Sequence, residues 1–417
     1  MVPKDIILHV SAFQMSDMKS ENTGLERFAI PKLSDIHTTH ALIISGIRRC
    51  GKSTLMAQMI KKSANAFYLN FDDLRLADFT YKDFALLDEI ISAEKYKVLF
   101  FDEIQIVKNW ELYVKQKLSE KFKVIVTGSN ASLLSKELGT RLTGRHFTRE
   151  LFPFSYSEFI KFKSLKTGAV SFQKYLEAGG FPEYVKTGKK EYLTQLFSDI
   201  LNRDIIVRHG VRDVSSLKRL SVFLMSNIGN LISATKLQQS FSVKTPTILE
   251  YFSYLEDTYL INFMPKFSYS LKAQAVNPKK VYAIDSALQN TVSTNWTDNN
   301  GRRLENVIYW HLRRENKEIY YFSENGKECD FIICENDNPK EIIQVCYELN
   351  AENRDRETAG LKAAMDFFKI SNAKIITYNQ DDAYIQDGKR ISVIPVWKYI
   401  TQKWKIKIFQ KMGHRRF

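Results

Sequence analysis

The segment from Gly46 to Ser53 constrains the fold of this chain more than any other. It has the spacing G-x-x-x-x-G-K-S and lies between an apolar run, residues 41–45, and a helix-forming stretch, residues 54–62. Glycine lets a backbone wrap around phosphate oxygens, and the N–H groups at the start of a helix then point at the anion. The segment therefore predicts a strand, a phosphate-binding loop and a helix.

Side chains of this loop are expected to bind ATP and Mg²⁺. Lys52 is predicted to reach the β- and γ-phosphates, and Ser53 to offer its hydroxyl to the metal. The residues of the loop predicted to contact the nucleotide are Gly46, Arg49, Cys50, Gly51, Lys52, Ser53 and Thr54.

A second motif supports the first, which by itself fixes only four positions. The apolar run at 97–101 ends in Asp102 and Glu103, and acids that follow a buried parallel strand lie at the edge where α/β sheets bind ligands. Asp102 is predicted to hold Mg²⁺ through water, and Glu103 to orient or deprotonate the attacking water. Taken alone, the two acids are equally well explained by a solvated turn.

Two further polar groups follow predicted strands. Ser129 or Asn130 is a candidate for a polar side chain near the γ-phosphate, and a helix N-cap explains either residue nearly as well. For Asp72 and Asp73, an N-cap role is favoured over contact with Mg²⁺-bound water.

The order of apolar segments predicts an α/β fold with an N-terminal P-loop parallel sheet flanked by helices, a helical and winged-helix middle, and a C-terminal mixed α/β region. A chain of 417 residues is too long for one core. After a mixed lead-in at 1–40, the strands of the first sheet are expected at 41–45, 66–70, 97–101 and 123–127. The predicted domains are 1–150, 151–270 and 271–417.

The middle region contains a helix, turn, helix succession at 233–240 and 244–255, followed by a strand at 259–263. This order is typical of a winged-helix unit whose second helix enters the DNA major groove, and a structural helical linker explains it equally well. The net charge of +14 favours a phosphate-rich partner, with double-stranded DNA first. The charge is spread widely, so plain surface solvation stays an alternative.

The four cysteines have neither zinc-site spacing nor a histidine cluster near them, which favours a reducing, cytoplasmic compartment. No run of 18 apolar residues is present, so no membrane span is expected.

Taken together, the motifs resemble a family, the prokaryotic AAA-type P-loop ATPases fused to a C-terminal domain of unknown function. The resemblance is carried by Arg48 and Arg49, Asp102-Glu103-Ile104-Gln105, Thr127-Gly128-Ser129, the L-x-G-R that ends at Arg145, the L-x-P-F-S-x-x-E-F at 151–159, Gly179-Gly180-Phe181-Pro182, Arg203-Asp204 and residues 280–285. It covers essentially the whole chain. It implies that Arg145 lies near the nucleotide and stabilises transition-state charge, with Arg141 a weaker candidate. An arginine that pairs with a carboxylate elsewhere is a comparable explanation.

The C-terminal third resembles a restriction-endonuclease-type fold. In that fold acids hold one or two Mg²⁺ ions and a lysine positions the attacking water. The resemblance places Glu305, Asp330, Gln344 and Cys346 at these positions, so one acid and the lysine are missing. The domain is therefore predicted to be an inactive relative kept for binding or assembly. Glu348 replaces the lost acid only if it faces the site, which strand alternation allows.

The function predicted from these features is ATP binding and Mg²⁺-dependent ATP hydrolysis as a nucleotide-driven switch that acts on DNA. Two alternatives are left open. One is a nucleotide-gated DNA-binding or protein-interaction module with little turnover, and the other is an ATP-dependent nuclease. Another protein or a second copy of the chain is also a candidate partner, and a membrane is not.

Overall fold

The computed structural model describes residues 1–28, 33–128, 144–294 and 299–401. The chain divides into two compact units. Unit 1 is Met1–Phe152 with Asp257–Tyr259, and unit 2 is Pro153–Glu256 with Leu260–Phe417. The predicted α/β class is confirmed, since a parallel sheet with helices lies in the first unit and a mixed sheet in the second.

Unit 1 is built on a parallel sheet of five strands in the order β2-β3-β4-β1-β5. The strands are β1 Ala41–Ser45, β2 Ala66–Asn70, β3 Val98–Asp102, β4 Lys123–Gly128 and β5 His146–Glu150. The first four lie within one residue of their predicted positions. β5 was not predicted, because it is an edge strand whose polar side chains are largely exposed and lack the apolar run of a central strand.

Within the described residues of unit 1, the α-helices that accompany this sheet are α1 Lys4–Ser20, α2 Lys52–Ile60, α3 Phe84–Ala93 and α4 Trp110–Ser119. The expectation of a mixed lead-in is wrong for α1, which buries Ile7 and Val10 in the core of unit 1. The side chain of Gln14 also satisfies both backbone groups of Asn70, donating to its oxygen at 3.2 Å and accepting from its nitrogen at 2.8 Å. The helix thereby covers polar groups at the edge of the sheet.

The helices of unit 2 are α5 Tyr156–Phe162, α6 Ala169–Ala178, α7 Pro182–Thr187, α8 Glu191–Asp199, α9 Val214–Ser226, α10 Ala234–Phe241, α11 Thr245–Asp257, α12 Leu271–Val276, α13 Ser286–Val292, α14 Asn300–Arg313 and α15 Arg354–Phe368. A π-helix, Ile200–Val207, continues α8. No helix in the described part of the chain is both long and apolar enough to cross a membrane.

Unit 2 contains two sheets. An antiparallel sheet has the order β6-β8-β7, with β6 Leu231–Ile232, β7 Ile261–Met264 and β8 Lys279–Ala283. A mixed sheet has the order β13-β14-β12-β11-β10-β9, with β9 Glu318–Glu324, β10 Lys327–Glu335, β11 Asn338–Val345, β12 Asn372–Thr377, β13 Asp382–Gln386 and β14 Lys389–Pro395. The two helices predicted in the middle region correspond to α10 and α11, and the strand predicted after them begins two residues later, at Ile261.

Two glycines of the Gly179-Gly180-Phe181-Pro182 motif allow close contacts inside unit 2. A Cβ on Gly180 would lie 2.3 Å from the carbonyl oxygen of Phe154. A Cβ on Gly179, whose φ is 61°, would lie 2.2 Å from Oδ1 of Asp285. Asp285 accepts the N–H of Gly180 at 2.6 Å and caps α13. The motif therefore brings the segment before α7 against the start of α13.

Gly360 makes the closest backbone approach among the described glycines. It lies in α15, and a Cβ there would be 1.7 Å from the backbone oxygen of Glu328 on β10. Because that neighbour is backbone, it cannot move aside without shifting the strand. The spacing between α15 and the mixed sheet thus depends on this glycine.

We predict that Gly360→Ala destabilises unit 2 by about 1–3 kcal/mol, the usual cost of forcing extra volume into a packed interior. Gly301→Ala in α14 is the matched control, because the nearest atom to its Cβ is 3.7 Å away. Alanine has a higher helix propensity than glycine at both positions. Without a clash, this gain should leave the stability of Gly301→Ala unchanged or raise it by up to about 1 kcal/mol. Denaturant unfolding of both variants measures the difference, and equal stabilities would contradict the prediction.

Candidate functional site

The loop after β1 is held in shape by close backbone contacts. Gly46 has φ 152°, and a Cβ on it would lie 2.0 Å from the backbone oxygen of Leu151. Gly51 has φ 100° and stands at the N-terminus of α2. The ammonium of the buried Lys52 donates to the carbonyl oxygens of Gly46 at 2.9 Å and Ile47 at 3.1 Å. The loop therefore brings glycines, a lysine and a helix N-terminus to one place, as an anion site needs.

A hydrogen bond joins the two sequence motifs. Ser53 at the start of α2 donates its hydroxyl to Oδ2 of Asp102 at 2.8 Å, although the two residues are 49 positions apart. The Asp102 carboxylate is 1% exposed and accepts two more hydroxyls, from Tyr68 on β2 at 3.1 Å and from Thr127 on β4. Burial and the Asp102 charge raise the pKa of Tyr68, so its phenol stays a donor.

Glu103 has a backbone conformation that is unusual for its residue type. Its φ is 51°, in the left-handed region, and its N–H points at the hydroxyl of Thr127 at 3.4 Å. Burial raises the pKa of the Glu103 carboxyl; Lys52 opposes this shift and Asp102 adds to it. A carboxylate with a raised pKa is a better proton acceptor near neutral pH.

Arg27 supports the loop from a segment in which sequence reasoning found no signal. This buried guanidinium donates to the backbone oxygens of Cys50 at 2.8 Å and Phe152 at 2.7 Å. Gln58 on α2 holds the same segment through the backbone oxygens of Thr23 and Leu25. The charge-assisted bonds of Arg27 fix the carbonyl of Cys50, so that the N–H groups of the phosphate loop keep their direction.

Cys50 lies fully buried inside the loop. Its thiol donates to the backbone oxygen of Leu151 at 3.3 Å, and burial raises its pKa. All four cysteines of the chain are free and buried. Cys50 therefore packs the loop and is not a reactive thiol.

The structure brings together seven of the predicted site residues: Gly46, Cys50, Gly51, Lys52, Ser53, Asp102 and Glu103. Arg49 is exposed on the loop with φ 60°, and Thr54 is half-buried in the first turn of α2. Ser129, Asn130 and Arg141 lie outside the described residues.

Arg145 is not brought to this loop. Its backbone oxygen accepts the N–H of Ala41, so it lies beside the amino end of β1. The loop follows the carboxyl end of that strand, a full strand length away at about 3.3 Å per residue. The side chain is exposed there. Its position gives no support to the predicted role at the nucleotide of the same chain.

Asp73 has the capping role that was favoured over a metal role. It caps a short 3-10 helix, Leu74–Leu76, by accepting the N–H of Arg75 at 3.0 Å. The guanidinium of Arg75 lowers the pKa of Asp73. Asp72 is exposed, and its N–H is bonded to the side chain of Asn70 at 2.9 Å.

Comparison with known proteins adds to this geometry. One family model, an AAA domain, matches residues 38–160, and another, a domain of unknown function (DUF8612), matches residues 170–300. Uncharacterized protein MJ1544 of Methanocaldococcus jannaschii is 35% identical over 390 residues, which cover 86% of this chain and 87% of that protein. The chain belongs to the same family as this archaeal protein.

Other similar proteins are bacterial and eukaryotic. An uncharacterized protein of Haemophilus influenzae is 30% identical over 355 residues, covering 78% of this chain and 87% of that protein. A solved structure of C. elegans PCH-2 covers 61% of this chain and 66% of its own at 14% identity, with a TM-score of 0.23. The expected pairing of an AAA domain with a domain of unknown function is confirmed, with the second model on the middle of the chain. The winged-helix and endonuclease-like assignments stay predictions.

Unit 2 contains a buried charged cluster that sequence reasoning described only in part. The ammonium of Lys280 on β8 lies 3.1 Å from Glu305, 2.7 Å from Glu328 and 2.8 Å from Asp330. Tyr282 donates to Glu305 at 2.7 Å. We define these five residues as the Lys280 cluster. The only sequence signal for its lysine was the stretch at 280–285 that matched the family.

The charges of the cluster set its protonation. Burial alone would lower the pKa of Lys280, but the three carboxylates outweigh burial and raise it well above its usual value. Burial, with the nearby Asp330, raises the pKa of Glu305 to about 7 although Lys280 acts in the opposite direction. Three carboxylates around one ammonium carry excess negative charge, so one of them gains a proton most readily.

Of the other residues predicted for this region, Gln344 contacts the cluster. Gln344 accepts the N–H of Asp330 at 3.3 Å and donates to Glu357 at 2.9 Å. Glu348 is exposed, and β11 ends at Val345, so the strand alternation invoked for Glu348 does not extend to it. Within the described ranges, no group of three or more His, Cys, Asp or Glu side chains has the arrangement of a metal site.

We predict that Lys280→Met destabilises the protein by about 3–5 kcal/mol at pH 8, because removing one partner leaves buried carboxylates uncompensated. The loss should shrink as the pH is lowered to 5, below the raised pKa of about 7 of Glu305, because this carboxylate then takes up a proton. The matched control is Lys340→Met, which removes an exposed pair with Glu335 and should change stability by about 1 kcal/mol or less. Denaturant unfolding at both pH values tests this, and a pH-independent loss would contradict it.

Proposed function

We propose that this chain binds ATP with Mg²⁺ and hydrolyses it as a nucleotide-driven switch. The observation that carries the proposal is the hydrogen bond from Ser53 to Asp102, because it joins the loop and the acidic strand end at one sheet edge. The match of residues 38–160 to an AAA domain supports it.

The side chains present fit these ligands. The loop from Gly46 to Gly51 begins and ends with glycines of positive φ, a backbone conformation that lets successive N–H groups surround a phosphate. The Ser53 hydroxyl and the Asp102 carboxylate are hard oxygen ligands, which suit Mg²⁺. The metal would neutralise phosphate charge when bound. Lys52 would hold the β- and γ-phosphates.

Glu103 is the proposed proton acceptor for the attacking water. It follows Asp102 directly, and its raised pKa suits this role. Arg145 is left out of the proposed site because of its place at the amino end of the sheet. The polar role proposed for Ser129 rests on sequence alone.

We predict that Lys52→Ala removes the thermal protection given by MgATP, since the β- and γ-phosphate charge is left uncompensated. Glu103→Gln should keep that protection but slow turnover by roughly 10²–10⁴-fold, the usual contribution of a positioned general base. Lys62→Ala, beyond the far end of α2, is the matched control and should behave as wild type. Thermal-shift and ATPase assays on the four proteins provide both measurements.

The outcomes separate the alternatives. Undiminished protection of Lys52→Ala would overturn the assignment of the loop. Protection of wild type without turnover would favour a nucleotide-gated binding module, and an unchanged rate in Glu103→Gln would move the proton acceptor to another acid.

We further propose that the middle region of the chain binds duplex DNA as a winged-helix unit. The supporting observation is the order of α9, β6, α10, α11, β7, α12 and β8, in which two consecutive helices lie between the first and second strands of a small antiparallel sheet. Lys236 on α10 and Lys244 just before α11 are exposed. The net charge of +14 would add salt-sensitive attraction to phosphate.

The C-terminal region is proposed to take no part in nucleic-acid cleavage. The Lys280 ammonium already forms ion pairs with Glu305 and Asp330, the acids that an endonuclease-type site would give to metal. Gln344 carries no charge. Burial raises the pKa of the Cys346 thiol to about 11, so this side chain does not replace a lysine.

We predict that affinity for duplex DNA falls steeply with salt, and that Lys236→Ala with Lys244→Ala reduces the slope of log affinity against log salt by about 2. The matched control is Lys82→Ala with Lys115→Ala, two exposed lysines of unit 1. Fluorescence anisotropy over a salt series measures the slopes. No binding at low salt in either nucleotide state would refute the DNA proposal. Cleavage of the same duplex with Mg²⁺ or Mn²⁺, lost in Asp330→Ala, would refute the inactive endonuclease.

A further inference from the structure

Beyond the residues proposed above to bind or react, Gln105 is bonded directly to Glu103. Its side-chain amide donates to Oε2 of Glu103. Glu103 has a left-handed backbone conformation and comes immediately before a single 3-10 turn, Ile104–Ile106. This turn brings the side chain of Gln105 back to the side chain of Glu103, two positions earlier in the sequence. We propose that Gln105 is a positioning residue that holds the Glu103 carboxylate for proton transfer, an inference that rests on the hydrolysis proposed above.

Gly128 fixes the position of the Gln105 amide from the neighbouring strand. A Cβ on Gly128, the last residue of β4, would lie 3.0 Å from Oε1 of Gln105. The amide therefore packs against glycine backbone on one side and bonds the carboxylate on the other. The N–H of Glu103 approaches the hydroxyl of Thr127, also on β4, at 3.4 Å. The carboxyl ends of β3 and β4 thus hold Glu103 jointly.

The bond fixes the orientation of the Glu103 carboxylate. Because the amide takes one acceptor site of Oε2, Oε1 is the less engaged oxygen and the better placed of the two to accept a proton from water. A side chain that is held at one oxygen can adopt few rotamers. Holding a catalytic group in the orientation that the reaction needs supplies a large part of the rate acceleration by an enzyme. A left-handed φ is unfavourable for a residue with a Cβ, so Glu103 needs contacts from other residues to hold its backbone in this conformation.

The same bond influences the charge of Glu103. Burial raises its pKa and Asp102 on β3 adds to this, whereas Lys52 on α2, the Gln105 amide and Arg48 in the loop lower it. A donor to the charged form favours that form. The Gln105 amide therefore favours the ionised carboxylate, the form that can accept a proton.

The test is the split between kcat and KM for MgATP in the full chain for wild type, Gln105→Ala, Gln105→Glu and Gly128→Ala. We expect Gln105→Ala to lower kcat by roughly 10- to 100-fold with KM unchanged, because the Glu103 carboxylate loses its orientation. Gln105→Glu, nearly identical in shape, should lower kcat at least as much, because a carboxylate that repels Glu103 replaces the amide donor. Gly128→Ala should lower kcat by displacing the amide without altering Gln105 or Glu103.

A matched control comes from the surface of the same unit. Gln116 on α4 is exposed and donates its amide to Glu120 at 2.8 Å, so Gln116→Ala removes a similar bond far from the phosphate loop. Its kcat and KM should equal those of wild type. MgATP thermal protection, measured on every variant, should be retained in all of them and shows that each one folds and binds nucleotide.

The outcomes distinguish failure of this inference from failure of the proposed function. If wild type hydrolyses ATP and Glu103→Gln does not, but Gln105→Glu keeps the kcat of wild type, Gln105 only fills space and the inference is wrong. A rise of KM in Gln105→Ala without loss of kcat has the same meaning. If wild type binds MgATP without hydrolysing it, the proposed function fails and the inference with it.

Discussion

The architecture of unit 1 depends on the buried carboxylate of Asp102. A carboxylate that is 1% exposed would be very unfavourable without partners. Hydroxyls arrive from β2, β4 and α2, through Tyr68, Thr127 and Ser53. Because each donor belongs to a different element, satisfying one charge fixes the position of the phosphate loop relative to three neighbouring strands.

The loop itself is shaped by its neighbours as much as by its glycines. Gly46 packs against the backbone of Leu151, which follows β5, and Arg27 ties the carbonyl of Cys50 to that of Phe152. The edge strand β5 and the segment before β1 therefore contribute to a site in which they supply no predicted ligand. The left-handed backbone of Glu103 is maintained within the same rigid frame, which is typical of functional sites.

Unit 2 uses the opposite arrangement of charge. There a buried ammonium, Lys280, is surrounded by carboxylates from α14 and β10. In unit 1 neutral hydroxyls surround an acid that is proposed to bind a cation, whereas in unit 2 a cation of the chain already occupies the acids. The Asp102 carboxylate therefore has no cation of the chain among the partners named above, whereas Glu305 and Asp330 are already paired with the Lys280 ammonium.

The sequence by itself determined the local parts of the site. The strand, glycine loop and helix around Lys52, and the acids after β3, follow from contiguous residues whose spacing decides their conformation. The strands β1 to β4 were predictable because burial on both faces demands unbroken apolar runs. The helix α1 and the edge strand β5 were not, since their amphipathic patterns are weak.

Only the tertiary structure decided which distant side chains meet. It brought Arg27 and Tyr68 to the site, set Arg145 at the other end of the sheet, and placed Lys280 among carboxylates that had been regarded as metal ligands. It also ended β11 before Glu348. Periodicity shows which face of an element is buried, but it carries no information on which element packs there, so contacts between residues far apart in the sequence follow only from the packed fold.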